Sequence, residues 1–185
     1  MNRLVKLGIL TPVVYSERTA PVVVVKKRNG TIRLCADFST GLNAALDVHQ
    51  FPLPNPKGIF ETLNGTRVFS HIDLSDAYFQ IELDNGTRKL LVINTHLDFF
   101  QYNKLAFGVN SAPAIFQQTM SQVIAGLPGV AAHLDDIFIS ANTRSENINR
   151  FCKVFKKLQL FGSAFKKRKY FCTFFSKLIR VHCRS

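Results

Sequence analysis

The sequence predicts an α+β fold in which helices back an antiparallel sheet. Three observations carry this: strand-length apolar runs bounded by Asn-Gly and Asp-rich turns, segments with apolar residues at helical spacing, and the order in which the two kinds follow each other. Hydrophobic residues make up 46% of the 185, with 17 phenylalanines, so the chain can bury a core and disorder is a poor default.

The first element is a β-hairpin. Pro21 to Val25 is apolar and β-branched, Asn29-Gly30 supplies a two-residue turn, and Thr31 to Cys35 resumes the apolar pattern. Lys26, Lys27, Arg28 and Arg33 make its tip cationic. Prolines 52, 54 and 56 then forbid regular structure, and a short helix around Ile59, Phe60 and Leu63 closes at Asn64-Gly65. Val68 to Asp73 and Phe79 to Leu83 alternate as two strands, with Asp84-Asn85-Gly86 as a turn, so Asp73 falls at a strand end.

After Ser111, apolar residues at 112, 115, 116, 120, 123 and 124 mark a helix, with Pro113 in its first turn. Val130 to Leu134 and Ile137 to Ser140 are apolar strands separated only by Asp135-Asp136, a hairpin whose turn is two carboxylates. Thr143 and Glu146 have capping-box spacing, and Ile148, Phe151, Cys152, Phe155 and Leu158 stripe a helix that ends at Gly162.

Lysine and arginine number 24 against 12 acidic residues, a net charge of +12, which favours a polyanionic partner, nucleic acid first. The basic run Lys166 to Lys169 is a local concentration of that charge. Four scattered cysteines without a C-x-x-C pair and a polar start predict a reduced intracellular setting, cytoplasmic or nuclear, with no signal peptide. No apolar run approaches the roughly 18 residues that span a bilayer, so no membrane partner is expected.

Asp135 and Asp136 are the chemically informative pair. Two neighbouring carboxylates between apolar strands repel each other and lose solvation, so a cation belongs beside them. Mg²⁺ suits such oxygen donors. If the hairpin lies beside the strand ending at Asp73, three carboxylates converge, and two ions about 3.5–4 Å apart could bind and support in-line nucleotidyl transfer. Asp73 and Asp135 would then bridge the ions and Asp136 would play the weaker part. A plain solvated Asp-Asp turn is the competing reading. His71 and His133 lack metal-ligand spacing and read as structural, not as zinc ligands.

The flanks decide between these. Ala132-His133-Leu134-Asp135-Asp136-Ile137 resembles the Y-x-D-D box of reverse transcriptases, and Phe69 to Tyr78 resembles the motif that bears their first catalytic aspartate. Val25 to Phe38, Phe51-Pro52-Leu53-Pro54, Phe100 to Val109 and Ser111 to Gln117 add further matches, in order. Together, from about residue 3 to 175, they resemble the pol polyprotein of gypsy-type long-terminal-repeat retrotransposons.

The resemblance implies a polymerase palm, an antiparallel sheet backed by helices, with β-rich fingers. The fingers would take residues 1–66, and the palm 67–175 with a fingers portion at about 85–110. A divergent tail would follow at 176–185. It implies an RNA-directed DNA polymerase using two Mg²⁺ ions, or Mn²⁺, on an RNA or DNA template with primer and deoxynucleoside triphosphates. Asp73, Asp135 and Asp136 would be catalytic, and Leu74 would join them at the metal. Lys26, Arg33, Asp76, Ala77, Tyr78, Phe107 and Gly108 would bind the nucleotide, with Tyr78 excluding a 2′-hydroxyl, while Gln117 and His133 would serve template and primer.

Departures from the pattern are His133 where the family has Tyr, Ala106 for a common Pro, and a segment 176–185 without the Leu-Gly pair of the primer grip. The resemblance thus implies a chain without thumb or ribonuclease H. A nucleic-acid-binding remnant with little activity is the alternative it leaves open.

Overall fold

The computed structural model describes residues 1–185 except 27–29, 31, 40, 47–49, 162–169, 176–178 and 182–185, and at 32–34, 170–175 and 179–181 it describes the backbone. In chain order the elements are α1 (Asn2–Lys6), β1 (Leu10–Val13), β2 (Ala20–Lys26), β3 (Ile32–Ala36), α2 (Leu42–Ala45), α3 (Pro56–Leu63) and β4 (Val68–Leu74). There follow a 3₁₀ turn (Ala77–Gln80), α4 (Asn85–Leu90), β5 (Val92–Asn94), β6 (Phe99–Tyr102), α5 (Ala112–Ile124), β7 (Val130–His133), β8 (Asp136–Ala141), α6 (Arg144–Phe161), β9 (Tyr170–Phe175) and β10 (Ile179–Val181). No helix among the described residues is long and apolar enough to cross a membrane.

The chain forms two compact units, Met1–His49 with Tyr78–Ala112, and Gln50–Ala77 with Pro113–Ser185. Their limits differ from a division at 66/67. Residues 50–66 join the second unit because α3 packs on β7. Residues 78–84 join the first because the backbones of Ile81 and Leu83 bond to Leu105 and Asn103.

The first unit holds a mixed five-stranded sheet in the order β1-β6-β5-β2-β3. All neighbours are antiparallel except β2 with β5. Ile9, Leu10, Phe38, Ile93 and Tyr102 are buried in its core. The β2–β3 hairpin is present, paired from Val22↔Ala36 to Lys26↔Ile32. Of its expected Asn29-Gly30 turn, Gly30 is described, at φ 78°, while Asn29 and the cations Lys27 and Arg28 lie outside the described residues, as do the helix stop at Gly162 and the basic run 166–169.

A strand expected over Phe79 to Leu83 is not formed. Ala77–Gln80 is a 3₁₀ turn, and Glu82 alone makes a bridge, to Lys104. Asp84, expected in a turn, instead caps α4 and accepts the N–H groups of Gly86 and Thr87 at 2.8 and 3.0 Å. The aromatic packing of Phe79 on Phe107 and Tyr102 favours the turn.

The second unit holds an antiparallel sheet in the order β10-β9-β4-β8-β7. Residues 179–181, expected in a divergent tail, supply its edge strand, pairing Ile179 with Phe174. Along β4 the alternation buries Ser70, Ile72 and Leu74 on one face and leaves Phe69, His71 and Asp73 on the other. On β8 it buries Ile137 and Ile139 and leaves Asp136 and Phe138 less buried. α6 covers β8 and β4 through Val154 and Leu158, and Phe116, Met120 and Val123 of α5 are also buried. Asn147 ties the layers: its amide donates to the carbonyls of Val68 and Ile139 at 3.3 Å each and accepts the hydroxyl of Ser70.

Candidate active site

The central strand β4 delivers Asp73 one residue before its end, directly opposite Asp136 of β8. Directly opposed residues in an antiparallel pair share a face, so the two carboxylates stand side by side on the open face of the sheet. His133 of β7 is in turn opposite Asp136, making a row across three strands.

The hairpin turn itself is Leu134-Asp135, not the expected Asp135-Asp136, because Asp136 already pairs with His133. Leu134 has φ 52°, a left-handed conformation costing a branched residue about 1–3 kcal/mol. Two contacts hold it there. Gln117 of α5, 1% exposed, donates from Nε2 to the carbonyl of Ala132 at 3.0 Å and accepts the Leu134 N–H on Oε1 at 2.7 Å. The N–H of Leu74 donates to the carbonyl of Asp135 at 2.8 Å, pinning the turn to the end of β4. Gln117 therefore shapes the carboxylate turn with both amide atoms. The sequence signal was available, since Gln117 sits between Phe116 and Met120 on the apolar side of its helix.

The electrostatics report the convergence. Burial, then the charges of Asp135 and Asp136, push the Asp73 carboxyl above its ordinary range, with His71 opposing them. Among the described residues no group of three or more His, Cys, Asp or Glu side chains is arranged so that it could hold a metal ion as the side chains stand. The donor chemistry nonetheless fits a divalent hard cation: crowded carboxylate oxygens resist ionisation, and a cation relieves that repulsion. Asp73, Asp135 and Asp136 could hold it. The side chain of Leu74 is buried and its N–H is engaged, so a metal contact from Leu74 would come from its carbonyl.

The remaining expected residues sort by unit. Asp76, at φ 54°, and buried Ala77 follow β4 in the second unit. In the first, Lys26 is exposed at the end of β2, and Arg33 pairs with Val25, one register step away, its side chain lying outside the described residues. Tyr78 packs on Phe107 with ring centroids 4.8 Å apart. Phe79, which the sequence motifs did not single out, meets Phe107 edge-on at 5.2 Å. Gly108 has φ 96°, and a Cβ there would meet the carbonyl oxygen of Ala36 at 2.5 Å, so only glycine fits.

Comparison with known proteins shows the family and the fold. A family model described as reverse transcriptase (RNA-dependent DNA polymerase) matches residues 25–180. The chain is 44% identical over 181 residues to the uncharacterized protein K02A2.6 of Caenorhabditis elegans, covering 97% of this chain and 14% of that protein. It is 27% identical over 164 residues to the transposon Tf2-3 polyprotein of Schizosaccharomyces pombe, covering 86% of this chain and 12% of the polyprotein. The chain thus spans about a seventh or less of the length of these relatives. A foamy viral protease-reverse transcriptase, solved in complex with dsDNA, superposes with a TM-score of 0.79 at 25% identity, covering 87% of this chain and 33% of that one.

Proposed function

Because this chain belongs to the reverse transcriptase (RNA-dependent DNA polymerase) family, we propose that it carries out template-directed DNA synthesis, with Asp73, Asp135 and Asp136 holding two Mg²⁺ or Mn²⁺ ions. The observation that carries this is the pairing of Asp73 with Asp136, with the Asp135 turn fastened to Leu74. Bound ions supply Lewis acidity for the attacking 3′-hydroxyl and charge neutralisation for the leaving pyrophosphate.

The protein's own residues do the positioning. Lys26 and Arg33, on adjacent strands, engage the triphosphate of a deoxynucleotide, a flexible ammonium beside a forked guanidinium. Tyr78, braced by Phe107, lies under the sugar and selects against a 2′-hydroxyl, while Phe107 and Gly108 form the other wall of the nucleotide pocket. The backbone N–H groups of Asp76 and Ala77 face the phosphates. The excess of positive charge holds an RNA or DNA template and its primer, with α5 and His133 on the duplex side, and binding therefore weakens steeply with salt. The motif set, together with relatives that include a transposon polyprotein, supports an origin in a gypsy-type element.

Primer extension on a primed homopolymer with Mg²⁺ or Mn²⁺ tests the reading. Asp135→Asn is expected to abolish extension while salt-sensitive duplex binding persists. Extension by that variant at the parent's rate refutes the assignment.

A further inference from the structure

Among the described residues, one side chain on the open face of the second unit's sheet hydrogen-bonds a carboxylate of the trio. His71 lies two residues before Asp73 on β4 and so shares its face. Its Nε2 is 2.6 Å from Oδ1 of Asp136. A carboxylate can only accept, so Nε2 carries the hydrogen and donates it. Among the described residues, Asp136 is the one member of the trio whose carboxylate has a side-chain hydrogen bond.

The histidine is itself held. Phe138 lies directly opposite it in the β4–β8 register, and the two rings stack 5.0 Å apart at 18°. The stack fixes the plane of the imidazole, and the fixed ring aims Nε2 along the strand at Asp136. Asp136 also faces Asp73 across the ladder, and that like charge favours rotation of its carboxylate away from the cluster. A donor on Oδ1 opposes the rotation and leaves Oδ2 available.

We propose that His71 is a positioning residue that, given the two-ion reading above, holds the Asp136 carboxylate in the orientation in which it contributes to ion binding. Hydrogen bonds to ligating groups commonly govern affinity in this way, and their loss weakens metal binding about 10- to 100-fold. His71 thereby gives the weakest of the three ligands its place, and the stacked Phe138 gives His71 its own.

The test is a titration of the full chain with Mn²⁺, followed by electron paramagnetic resonance of the free ion, without nucleotide or nucleic acid. His71→Phe keeps a ring to stack on Phe138 and removes the donor. It is expected to weaken Mn²⁺ binding about tenfold. His71→Gln places an amide N–H near the position of Nε2 and is expected to stay within about threefold of the parent. Phe138→Leu keeps the donor but frees the ring, and a severalfold loss is expected.

Thermal melting in EDTA accompanies each titration, so that a variant is read only as folded protein. If His71→Phe does not fold, Phe138→Leu decides. Parental affinity in a folded His71→Phe or Phe138→Leu overturns the proposal, as does a His71→Gln variant as weak as His71→Phe. A parent chain that binds no Mn²⁺ overturns the two-ion reading itself, a different result from either.

Discussion

Asp73 and Asp136 form a directly opposed pair across β4 and β8, so two like charges share one position on the open face of a sheet. Burial and both neighbouring carboxylates disfavour ionisation of Asp73. The folded state therefore retains the Asp73 proton to higher pH than the unfolded chain, and stability is lost as pH rises above the ordinary value of 3.8.

Asp73→Asn removes that charge and keeps the shape. In EDTA at neutral pH the variant is expected to melt about 2 °C higher than the parent, a modest gain because solvent screens so open a site. The gain should vanish at pH below 3.8, where Asp73 is protonated in both states. Mg²⁺ should raise the melting temperature of the parent more than that of the variant. Differential scanning calorimetry in EDTA and in Mg²⁺ checks this, and a variant that melts lower in EDTA contradicts it.

Gln117 holds the strained Leu134 turn from inside the protein. Gln117→Leu leaves the Ala132 carbonyl and the Leu134 N–H without their side-chain partner, at a cost of about 2 kcal/mol. Chemical denaturation measures that loss. Because the turn carries Asp135, extension should fall at least about tenfold through kcat, while duplex affinity holds within about twofold. A variant whose kcat is unchanged separates the clamp from the chemistry.

Tyr102 gives a pH effect away from the carboxylates. Its burial, with Cys35 as a smaller cause, pushes the phenol up to about 12 from 10.0. The unfolded chain then ionises this tyrosine first, so its contribution to stability is complete below pH 10 and is lost as pH rises towards 12. A single group contributes a slope of about 1.4 kcal/mol per pH unit in that window. Tyr102→Phe should flatten the alkaline limb of the stability curve relative to the parent, as followed by urea denaturation between pH 9 and 11. Parallel limbs contradict the assignment.

The long, strongly patterned elements were legible in the sequence. α5 follows its apolar stripe, β4 follows its alternation, and the β7–β8 hairpin stands where two apolar runs flank the carboxylates, whereas α6 forms where expected but buries Asn147, Val154 and Leu158 and leaves Ile148 and Cys152 of its stripe exposed. Register was not legible. Asp135-Asp136 looks like a two-residue turn until His133 is seen paired with Asp136, which moves the turn back to Leu134-Asp135. A leucine at positive φ is a poor turn former by propensity. What selects it is the buried amide of Gln117, a contact between residues far apart in the chain.

Phe79 to Leu83 failed for a related reason. Five residues of alternation carry less weight than the Asp84 cap and the aromatic contacts of Phe79, neither of which the pattern encodes. His71 was visible in the sequence as a structural residue. Its place two residues before Asp73 puts it on the same face, yet only the register with Phe138 shows that its ring is fixed towards Asp136.

The most direct measurement is anomalous scattering from crystals of the chain grown with Mn²⁺. A peak within coordinating distance of oxygens from both Asp73 and Asp135, about 2.0–2.3 Å away, is the predicted result. Mn²⁺ peaks confined to other surfaces, with Asp73 and Asp135 sharing none in a crystal that contains the ion, would contradict the account.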